Sequence, residues 1–542
     1  MKAINGWNSD RLYHSESSFL EDVSKLTRLT DEIKEYALRL TASGTPISQQ
    51  TAERIKQKTA VSQEIANSLE SYNALFLYLG KDLPFENARS RRSLLYDLLG
   101  KREKALADIA KYCMTDFDGA LPELHCFLRM IRCPDGDELF SEYHSLLSKR
   151  LVKHPISDPR KKDPENLTSQ DGTEERNVAD DSAGNSFADC LHRVKECTCR
   201  ETARLGFESP LEAGLYDTGL SDRDVEEVFL KITESISPLS QEMIKCFSSK
   251  PNLSGTALTQ SNAEELLYAA LSPLSPRVSE LLNRVFSDNW IDWYPQKGKL
   301  SGARHFRIVR LKESRIMLSF TGCLDDVFAL SHELGHAWQA SCMMSGENAC
   351  AGDYGSGIRE LGAYVFEQTV FEYLMQNAGC GMRTELLYRM LNNNIKLLFE
   401  VPLRYRFEKS LYKSIRLGER PDAVCLTAEA KRLITFSGAA ELSGVPAFDS
   451  RFWIYTPALY MTDNCFYNYE YTLCYLEALT VCRCRKQNGD AAIQYLERIL
   501  TNSPDINISD INRLLTDGQE LFSGKVSLAK QQLCRVLSNF SL

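Results

Sequence analysis

The chain has 542 residues, a formal net charge of −9, 43% hydrophobic residues and 25% charged residues. This composition is typical of a globular protein that buries a large core, and the length suits roughly two or three folding regions. The negative charge argues against nucleic-acid binding, which needs a concentrated basic surface. No apolar run reaches the roughly 18 residues expected of a membrane-spanning helix.

The cysteines and the N-terminal residues indicate the compartment. Seventeen cysteines are scattered singly along the chain, a pattern that favours a reducing environment over a disulfide framework. The first 18 residues, MKAINGWNSDRLYHSESS, lack the hydrophobic block of a secretory signal. We therefore expect a cytoplasmic protein that makes no membrane contact, with a monomer as the default state.

Helical periodicity dominates the first part of the chain. Between residues 15 and 150, apolar residues recur every three or four positions, which predicts an N-terminal helical lobe over residues 1–155. Residues 156–186 are rich in Pro, Asp, Glu and Ser and are predicted to form a polar linker or surface insertion. Helices resume after this segment, so residues 187–542 form the predicted second region.

Two short strands interrupt the helices of this second region. The segments FRIVR (306–310) and RIMLSF (315–320) flank a charged turn, LKES, and predict a small sheet. An edge of that sheet could bind an extended peptide through main-chain hydrogen bonds. The sequence equally allows a structural hairpin whose edge is covered.

The segment HELGH (332–336) lies on a predicted amphipathic helix. His332 and His336 share one face of that helix, so both can direct a ring nitrogen at one metal ion while Glu333 handles a proton. Asp325 and Asp326 stand where an N-terminal cap belongs. The alternative is that both histidines are ordinary helix residues, one of them packed against Trp338.

A catalytic zinc ion needs a third protein ligand. No histidine follows His336, so the third ligand must be a carboxylate or a thiolate, and Cys342 lies nearby. Glu360 stands near the start of the next predicted helix. Spacing alone leaves open whether Glu360 is a ligand or only a partner of the helix dipole.

Several segments resemble the oligoendopeptidase F family of zinc peptidases, which is related to thimet oligopeptidase and neurolysin. Residues 315–339, RIMLSFTGCLDDVFALSHELGHAWQ, resemble its active-site segment, and residues 288–306 and 205–229 resemble segments upstream. Glu360 and Glu367 match its paired acidic positions. The likeness covers residues from about 195 to the C-terminus.

The resemblance implies a mainly α fold, with two helical lobes around a deep central cleft and a small β-sheet beside the HExxH helix. It also implies one zinc ion per chain, held by His332, His336 and Glu360, with Glu333 accepting a proton from the attacking water. Glu367 would orient a zinc-bound histidine. From spacing alone, Glu367 could equally be a surface carboxylate.

The C-terminal tyrosine-rich segment departs from the family pattern. Family members have a histidine and tyrosines that close over the substrate, whereas residues 455–479, YTPALYMTDNCFYNYEYTLCYLEAL, contain no histidine. The missing residue aligns with Ala458 or Tyr460. Tyr467 and Tyr475 are the remaining candidates for catalytic donors to the oxyanion, although either could simply pack a cleft wall.

A second departure lies beside the third ligand, where Ala363 replaces a serine common in the family. The expected function is zinc-dependent endopeptidase cleavage of internal bonds in short, unfolded oligopeptides. Two alternatives stay open at this point. The chain could be a zinc-containing peptide-binding protein whose catalysis the missing histidine has weakened, or a zinc carboxypeptidase.

Overall fold

The structure is a computed structural model. It describes residues 7, 12–43, 47–79, 88–116, 136–153, 182–216, 218–248, 257–346, 357–442, 445, 448–462, 465–502, 506–516 and 522–540. Most of the predicted polar linker, residues 156–186, lies outside these ranges, and a helix begins at Ser182. The predicted domain boundaries stay a prediction.

The mainly α fold class is confirmed. The helices are α1 (Glu16–Ser43), α2 (Gln49–Tyr78), α3 (Ala88–Asp116), α4 (Gly136–Lys153), α5 (Ser182–Arg204), α6 (Pro210–Leu215), α7 (Asp222–Ile236), α8 (Ser240–Ser248), α9 (Gln260–Leu271), α10 (Pro276–Ser287), α11 (Leu324–Ser345), α12 (Leu361–Asn377), α13 (Cys380–Ile395), α14 (Val401–Arg416), α15 (Ala423–Phe436), α16 (Tyr469–Asn488), α17 (Ala491–Asn502), α18 (Ile508–Thr516) and α19 (Phe522–Phe540). None of the described helices has both the length and the apolar character needed to cross a membrane.

A three-stranded sheet precedes α11, and two of its strands were predicted. Strands β1 (Ile291–Asp292), β2 (Ala303–Ile308) and β3 (Glu313–Leu318) are arranged in the order β1-β3-β2. β3 pairs parallel with β1 and antiparallel with β2. Every residue of β3 is buried, which agrees with its central position.

Both strands of the predicted hairpin lie two or three residues earlier than the sequence indicated. Residues Val309–Leu311 form a 3-10 turn, and Lys312 adopts the left-handed conformation with φ of 50°. This turn removes residues 309 and 310 from the ladder. The hairpin therefore closes around Lys312 and not around the whole LKES segment.

The first compact unit comprises Met1–Met130, Ser254–Met382 and Glu477–Leu515. Helices α1 to α3 share an apolar core with the sheet, in which Phe306, Ile308 and Met317 are buried. The indole N–H of Trp7 donates to the carbonyl oxygens of Trp290 and Ile316, at 3.1 and 3.2 Å. These two hydrogen bonds attach Trp7 to the sheet that precedes α11.

The second compact unit comprises Ile131–Leu253, Arg383–Leu476 and Thr516–Leu542. Its described residues are helical or lie in turns. A five-residue π-helical stretch, Lys396–Glu400, joins α13 to α14, and Pro402 follows it in the first turn of α14. Because proline cannot donate a backbone hydrogen bond, a widened turn just before it is a natural place for the helix to change its pitch.

Candidate metal centre

The N-terminus of α11 is held by a capping box. Cys323 is the N-cap residue, and Oδ2 of Asp326 accepts backbone hydrogen bonds from Thr321, Gly322 and Cys323 at 2.6, 2.9 and 3.2 Å. Asp325 and Asp326, which were expected at the cap, lie two and three residues after the N-cap in the first turn, and Asp326 is the third-position member of the capping box. Asp326 sits inside the helix, where its carboxylate satisfies donors of the preceding turn and complements the helix dipole.

Helices α11 and α12 touch backbone to backbone beside the two histidines. A Cβ atom on Gly335 would lie 2.4 Å from the carbonyl oxygen of Gly362, and one on Gly362 would lie 2.6 Å from the carbonyl oxygen of Gly335. Ala363 is fully buried at the same crossing. Small residues here allow the close approach that brings Glu360, just before α12, to the histidines of α11.

The three predicted ligands converge. Nε2 of His332 lies 3.1 Å from Oε2 of Glu360 and 3.2 Å from Nε2 of His336, and the His336 nitrogen lies 3.7 Å from the same carboxylate oxygen. All three ligand atoms lie within 4.8 Å of one another. Two imidazole nitrogens and a carboxylate oxygen that face one point match the donor set of a zinc site with an open position.

His332 is oriented by a second carboxylate. Its Nδ1 lies 2.7 Å from Oε1 of Glu367, so the sequence-based pairing of Glu367 with a histidine is seen in the structure. The ring of Tyr364 contacts His332 edge-on, with centroids 5.9 Å apart. With Nδ1–H donated to Glu367, the lone pair of Nε2 points to the ligand cluster, which is the tautomer that a metal needs.

Burial and neighbouring charges shift the pKa values of these groups in different directions. Burial disfavours the charged form of His332, but hydrogen bonds that its ring donates to Glu360 and Glu367 outweigh this and hold its pKa well above the usual value. Burial and the nearby His332 lower the pKa of His336 to about 4. Burial raises the pKa of Glu333 to about 7, against the opposing charge of His332.

Gln339 supports Glu360 from α11, and sequence reasoning missed it. Its side-chain Nε2 donates to the carbonyl oxygen of Ile358 at 2.9 Å, and its Oε1 accepts the N–H of Gly362 at 3.0 Å. Gln339 is fully buried. It therefore clamps the backbone on both sides of Glu360. Its spacing of seven residues from His332, on the same helical face, was the available signal.

His305 of β2 is a second residue that the sequence analysis overlooked. Its ring stacks on His336 with centroids 6.0 Å apart, and its Nε2 lies 2.8 Å from the hydroxyl of Ser314. Its backbone N–H donates to Glu333. The edge strand of the sheet thus reaches the carboxylate that was predicted to carry a proton.

The two candidate tyrosines belong to the second unit. Tyr475 is buried, and its hydroxyl lies 3.2 Å from Oδ1 of Asn394 and 2.7 Å from Oε1 of Gln532. Tyr467 is half-buried and accepts a hydrogen bond from the hydroxyl of Tyr471 at 3.1 Å. Tyr460, one candidate position for the missing histidine, is buried and stacked on Tyr143. The catalytic roles of Tyr467 and Tyr475 stay predictions.

Comparison with known proteins shows which peptidases this chain is similar to in sequence. The model of peptidase family M3 matches residues 277–502. Oligopeptidase PepF of Bacillus subtilis is 24% identical over 166 residues, which are 30% of this chain and 25% of that protein. Group B oligopeptidase PepB of Streptococcus agalactiae is 25% identical over 242 residues, which are 44% of this chain and 36% of that protein. The resemblance to the oligoendopeptidase F family is confirmed.

Solved structures extend the likeness to the fold of nearly the whole chain. PZ peptidase A has a TM-score of 0.66 at 14% identity, and the match covers 96% of this chain and 97% of that one. Metallocarboxypeptidase 1 of Trypanosoma cruzi has a TM-score of 0.54 at 11% identity, covering 91% of this chain and all of that one. At these identities the likeness concerns the fold alone. The matched segments of the two curated oligopeptidases span only 25% and 36% of their length.

Proposed function

We propose that this oligoendopeptidase F relative is a zinc-dependent endopeptidase that cleaves internal bonds of short, unfolded oligopeptides. The observation that carries the proposal is the convergence of Nε2 of His332, Nε2 of His336 and Oε2 of Glu360 within 4.8 Å. The sequence relatives are oligopeptidases, which supports peptides as the substrate class. Monomeric state and cytoplasmic location stay predictions from composition.

The residues present fit a zinc ion, with His332, His336 and Glu360 as its ligands. Zinc in such a site supplies a Lewis acid that polarises a carbonyl and lowers the pKa of a coordinated water. Burial lowers the pKa of His336 to about 4, so its imidazole is neutral at neutral pH and has a lone pair with which to coordinate a metal. Glu367 fixes the ring of His332, and Gln339 fixes the backbone around Glu360.

Glu333 is the group that moves the proton. Glu333 is 8% exposed, and its pKa of about 7 without a metal suits a group that takes a proton from water and passes it to the leaving amine. The backbone N–H of His305 holds one side of this carboxylate. Glu333 therefore stays oriented beside the ligands without being one of them.

The sheet gives a route for peptide binding. β2 is an edge strand, and its residue His305 contacts both Glu333 and His336. In a peptide that pairs with this edge, backbone carbonyl groups would lie beside Glu333. Main-chain pairing fixes the register of the peptide without requiring a particular side chain. This supports broad specificity. The hydroxyl of Ser71 already donates to the carbonyl oxygen of Arg307 at 3.0 Å, so α2 covers one end of the edge.

The test is zinc content together with cleavage of a mixed oligopeptide pool, comparing the wild type with Glu333→Gln. This change keeps the size of the side chain and leaves the three ligands intact. We expect about one zinc per chain in both proteins and internal cleavage in the wild type alone. Cleavage by Glu333→Gln at the wild-type rate would remove Glu333 from the mechanism, and absence of zinc from the wild type would overturn the metal centre.

Residues 455–479 contain no histidine, which favours a second candidate function. The protein would then bind zinc and peptides but catalyse cleavage only weakly. Zinc and peptide binding without cleavage in the wild type would favour it. A carboxypeptidase shares the fold, so fold does not decide between the two cleavage modes. Product masses from a peptide blocked at its C-terminus do decide, because only an endopeptidase cuts it internally.

The oxyanion role proposed for Tyr467 and Tyr475 is tested by changing each to phenylalanine. Loss of one oxyanion donor costs about a hundredfold to a thousandfold in turnover, while the zinc content of the protein should not change. The variant Tyr471→Phe serves as a control, since its hydroxyl donates to Tyr467 and is not itself a candidate. Unchanged turnover in both Tyr467→Phe and Tyr475→Phe would remove these residues from the mechanism.

A further inference from the structure

A cleft of about 900 Å³ lies within the second compact unit. Its walls come from α5, α7, α14 and α15, together with residues 207–211. None of the metal-centre residues lines this cleft. It therefore needs an explanation of its own.

Arg406 of α14 lines this cleft and is only 7% exposed. Its Nε donates to Oε2 of Glu226 at 3.0 Å. Both terminal nitrogens, Nη1 and Nη2, are buried and have no hydrogen-bond partner among the described residues. A guanidinium that leaves its terminal N–H groups unmet in this way bears a desolvation cost that an acceptor would remove.

Three of the acidic side chains that line the cleft are already paired with cations of its wall. Asp222 and Glu226 both accept from Nζ of Lys409, at 2.7 and 2.9 Å. Glu429 of α15 binds Arg432 through two hydrogen bonds of 2.7 Å. These carboxylates are therefore engaged, and the terminal nitrogens of Arg406 are left for an acceptor from outside the chain.

The mouth of the cleft is basic. Lys413 and Arg416 line it, are exposed and form no ion pair among the described residues. Glu208 is the exposed acidic residue of the same lining. Two free cations against one carboxylate favour the approach of an anion.

Most of the remaining wall is apolar, with Phe207, Leu211, Leu230 and Leu433 among its residues. The ring of Phe436 covers the guanidinium of Arg406, with its centroid 5.0 Å from the central carbon. Phe436 is 48% exposed and stands at the end of α15. The ring of Phe229 lies over the same guanidinium at 5.9 Å. Because Nη1 and Nη2 are buried, a ligand would reach them only if a covering side chain such as Phe436 moved aside.

We propose that this cleft binds an organic anion that carries one carboxylate on an apolar body. The carboxylate would accept two parallel hydrogen bonds from Nη1 and Nη2 of Arg406, the geometry in which arginine binds carboxylates most strongly. The apolar body would lie against the leucines and phenylalanines of the wall. Peptide carboxyl termini and fatty acids share this chemistry. The proposal does not rest on the proposed peptidase activity.

Calorimetric titration of the full-length zinc-loaded protein tests the proposal. The probes are N-acetylleucine and octanoate, each with a neutral analogue, N-acetylleucinamide and octanol. We expect saturable binding of at least one carboxylate, with its neutral analogue at least about tenfold weaker, because charge-assisted hydrogen bonds contribute about that much. Tighter binding of N-acetylleucine would identify a peptide carboxyl terminus as the ligand, and tighter binding of octanoate would identify a fatty acid. Equal binding of acid and neutral analogue, or no binding of either acid at millimolar concentration, would overturn the proposal.

Variants separate this cleft from carboxylate binding at the zinc ion. Arg406→Gln should weaken binding of the carboxylate about tenfold or more, since it removes the bidentate donor. Lys413→Ala and Arg416→Ala should each weaken it about twofold to fivefold, as expected of exposed charges. Lys431→Ala is the matched control, because Lys431 is an exposed cation of α15 that does not line the cleft.

A second variant keeps the test decisive if Arg406→Gln fails to fold, as judged by circular dichroism. The double variant Lys413→Ala/Arg416→Ala changes only exposed side chains and should weaken binding about tenfold. Unchanged binding in this double variant, or in folded Arg406→Gln, would place the carboxylate elsewhere and overturn the proposal. Glu333→Gln should bind the carboxylate as the wild type does. Failure of the peptidase proposal can therefore be distinguished from failure of the carboxylate-binding proposal.

Discussion

Two clusters of buried charge, one in each compact unit, differ in whether their hydrogen-bond acceptors have donors within the cluster. In the second unit, Nζ of Lys195 lies 2.6 Å from Oε1 of Glu408, and Oε2 of Glu408 accepts the backbone N–H of Phe466 at 3.1 Å. One cation meets one anion there, and both carboxylate oxygens have donors. At the candidate metal centre, two imidazole nitrogens and the Glu360 carboxylate converge. Together they offer more hydrogen-bond acceptors than there are protons to bind them.

This difference distinguishes a cluster that is complete without a ligand from one that we propose binds a metal ion. A buried ion pair in which both carboxylate oxygens have donors needs no further ligand. A convergence of acceptors is stable only when a cation is added or when protons are taken up, as the raised pKa of His332 indicates. Removing a member of each cluster should therefore produce opposite patterns in metal binding and stability.

The largest effect is expected from Glu360→Gln, which removes the anionic ligand but keeps its shape. Zinc affinity should fall by more than the roughly tenfold to hundredfold that changes outside the ligand set cost, and peptide cleavage should disappear with it. Equilibrium dialysis against a chelator measures the affinity. The control is Glu372→Gln on the same helix α12, where Glu372 pairs with Lys486. Zinc binding of wild-type strength in Glu360→Gln would contradict its assignment as a ligand.

Lys195→Met should break the other cluster without touching zinc. It leaves Glu408 buried without its cation, so the free energy of unfolding should fall by about 3–5 kcal/mol. Zinc affinity of the folded protein should stay at the wild-type value. The double variant Lys195→Met/Glu408→Gln should recover part of the loss, since glutamine still accepts from Phe466. Urea unfolding measures both, and a loss below about 1 kcal/mol in Lys195→Met would contradict the comparison.

Gln339→Leu should give a smaller and mixed effect, because Gln339 acts on Glu360 through the backbone. We expect zinc affinity to fall about tenfold to hundredfold and the unfolding free energy of the metal-free protein to fall by about 1–3 kcal/mol, since two buried backbone groups lose partners. Gln339→Glu retains only the acceptor for Gly362, so it should fall between leucine and wild type in zinc affinity. A loss of stability with unchanged zinc affinity would show that Gln339 has no positioning role.

Local pattern was enough to predict the helix that carries His332 and His336, because helical periodicity and the HExxH spacing lie within one segment. It was also enough for the presence of the two hairpin strands. It failed at the ends of the strands, since the left-handed turn at Lys312 leaves no clear signal in the sequence. It also misplaced the N-cap of α11, where it favoured Asp325 and Asp326 over Cys323.

Glu360 shows where local pattern ends. Its spacing from His336 allowed either a ligand or a dipole partner, and family resemblance was needed to choose. Gln339 and His305 were missed for a related reason. Their contacts depend on the crossing of α11 with α12 and on the approach of β2 to α11, which are properties of packing between segments and not of any one segment.

The backbone contact between Gly335 and Gly362 bears on how this centre could change in evolution. Any side chain at either position would push the two helices apart, and with them the histidine pair from Glu360. A single substitution at either glycine would therefore change the distance between the histidine pair and Glu360, whereas exchange of one proposed ligand would leave that distance in place. The spacing of the centre is inherited with the helix crossing as one unit.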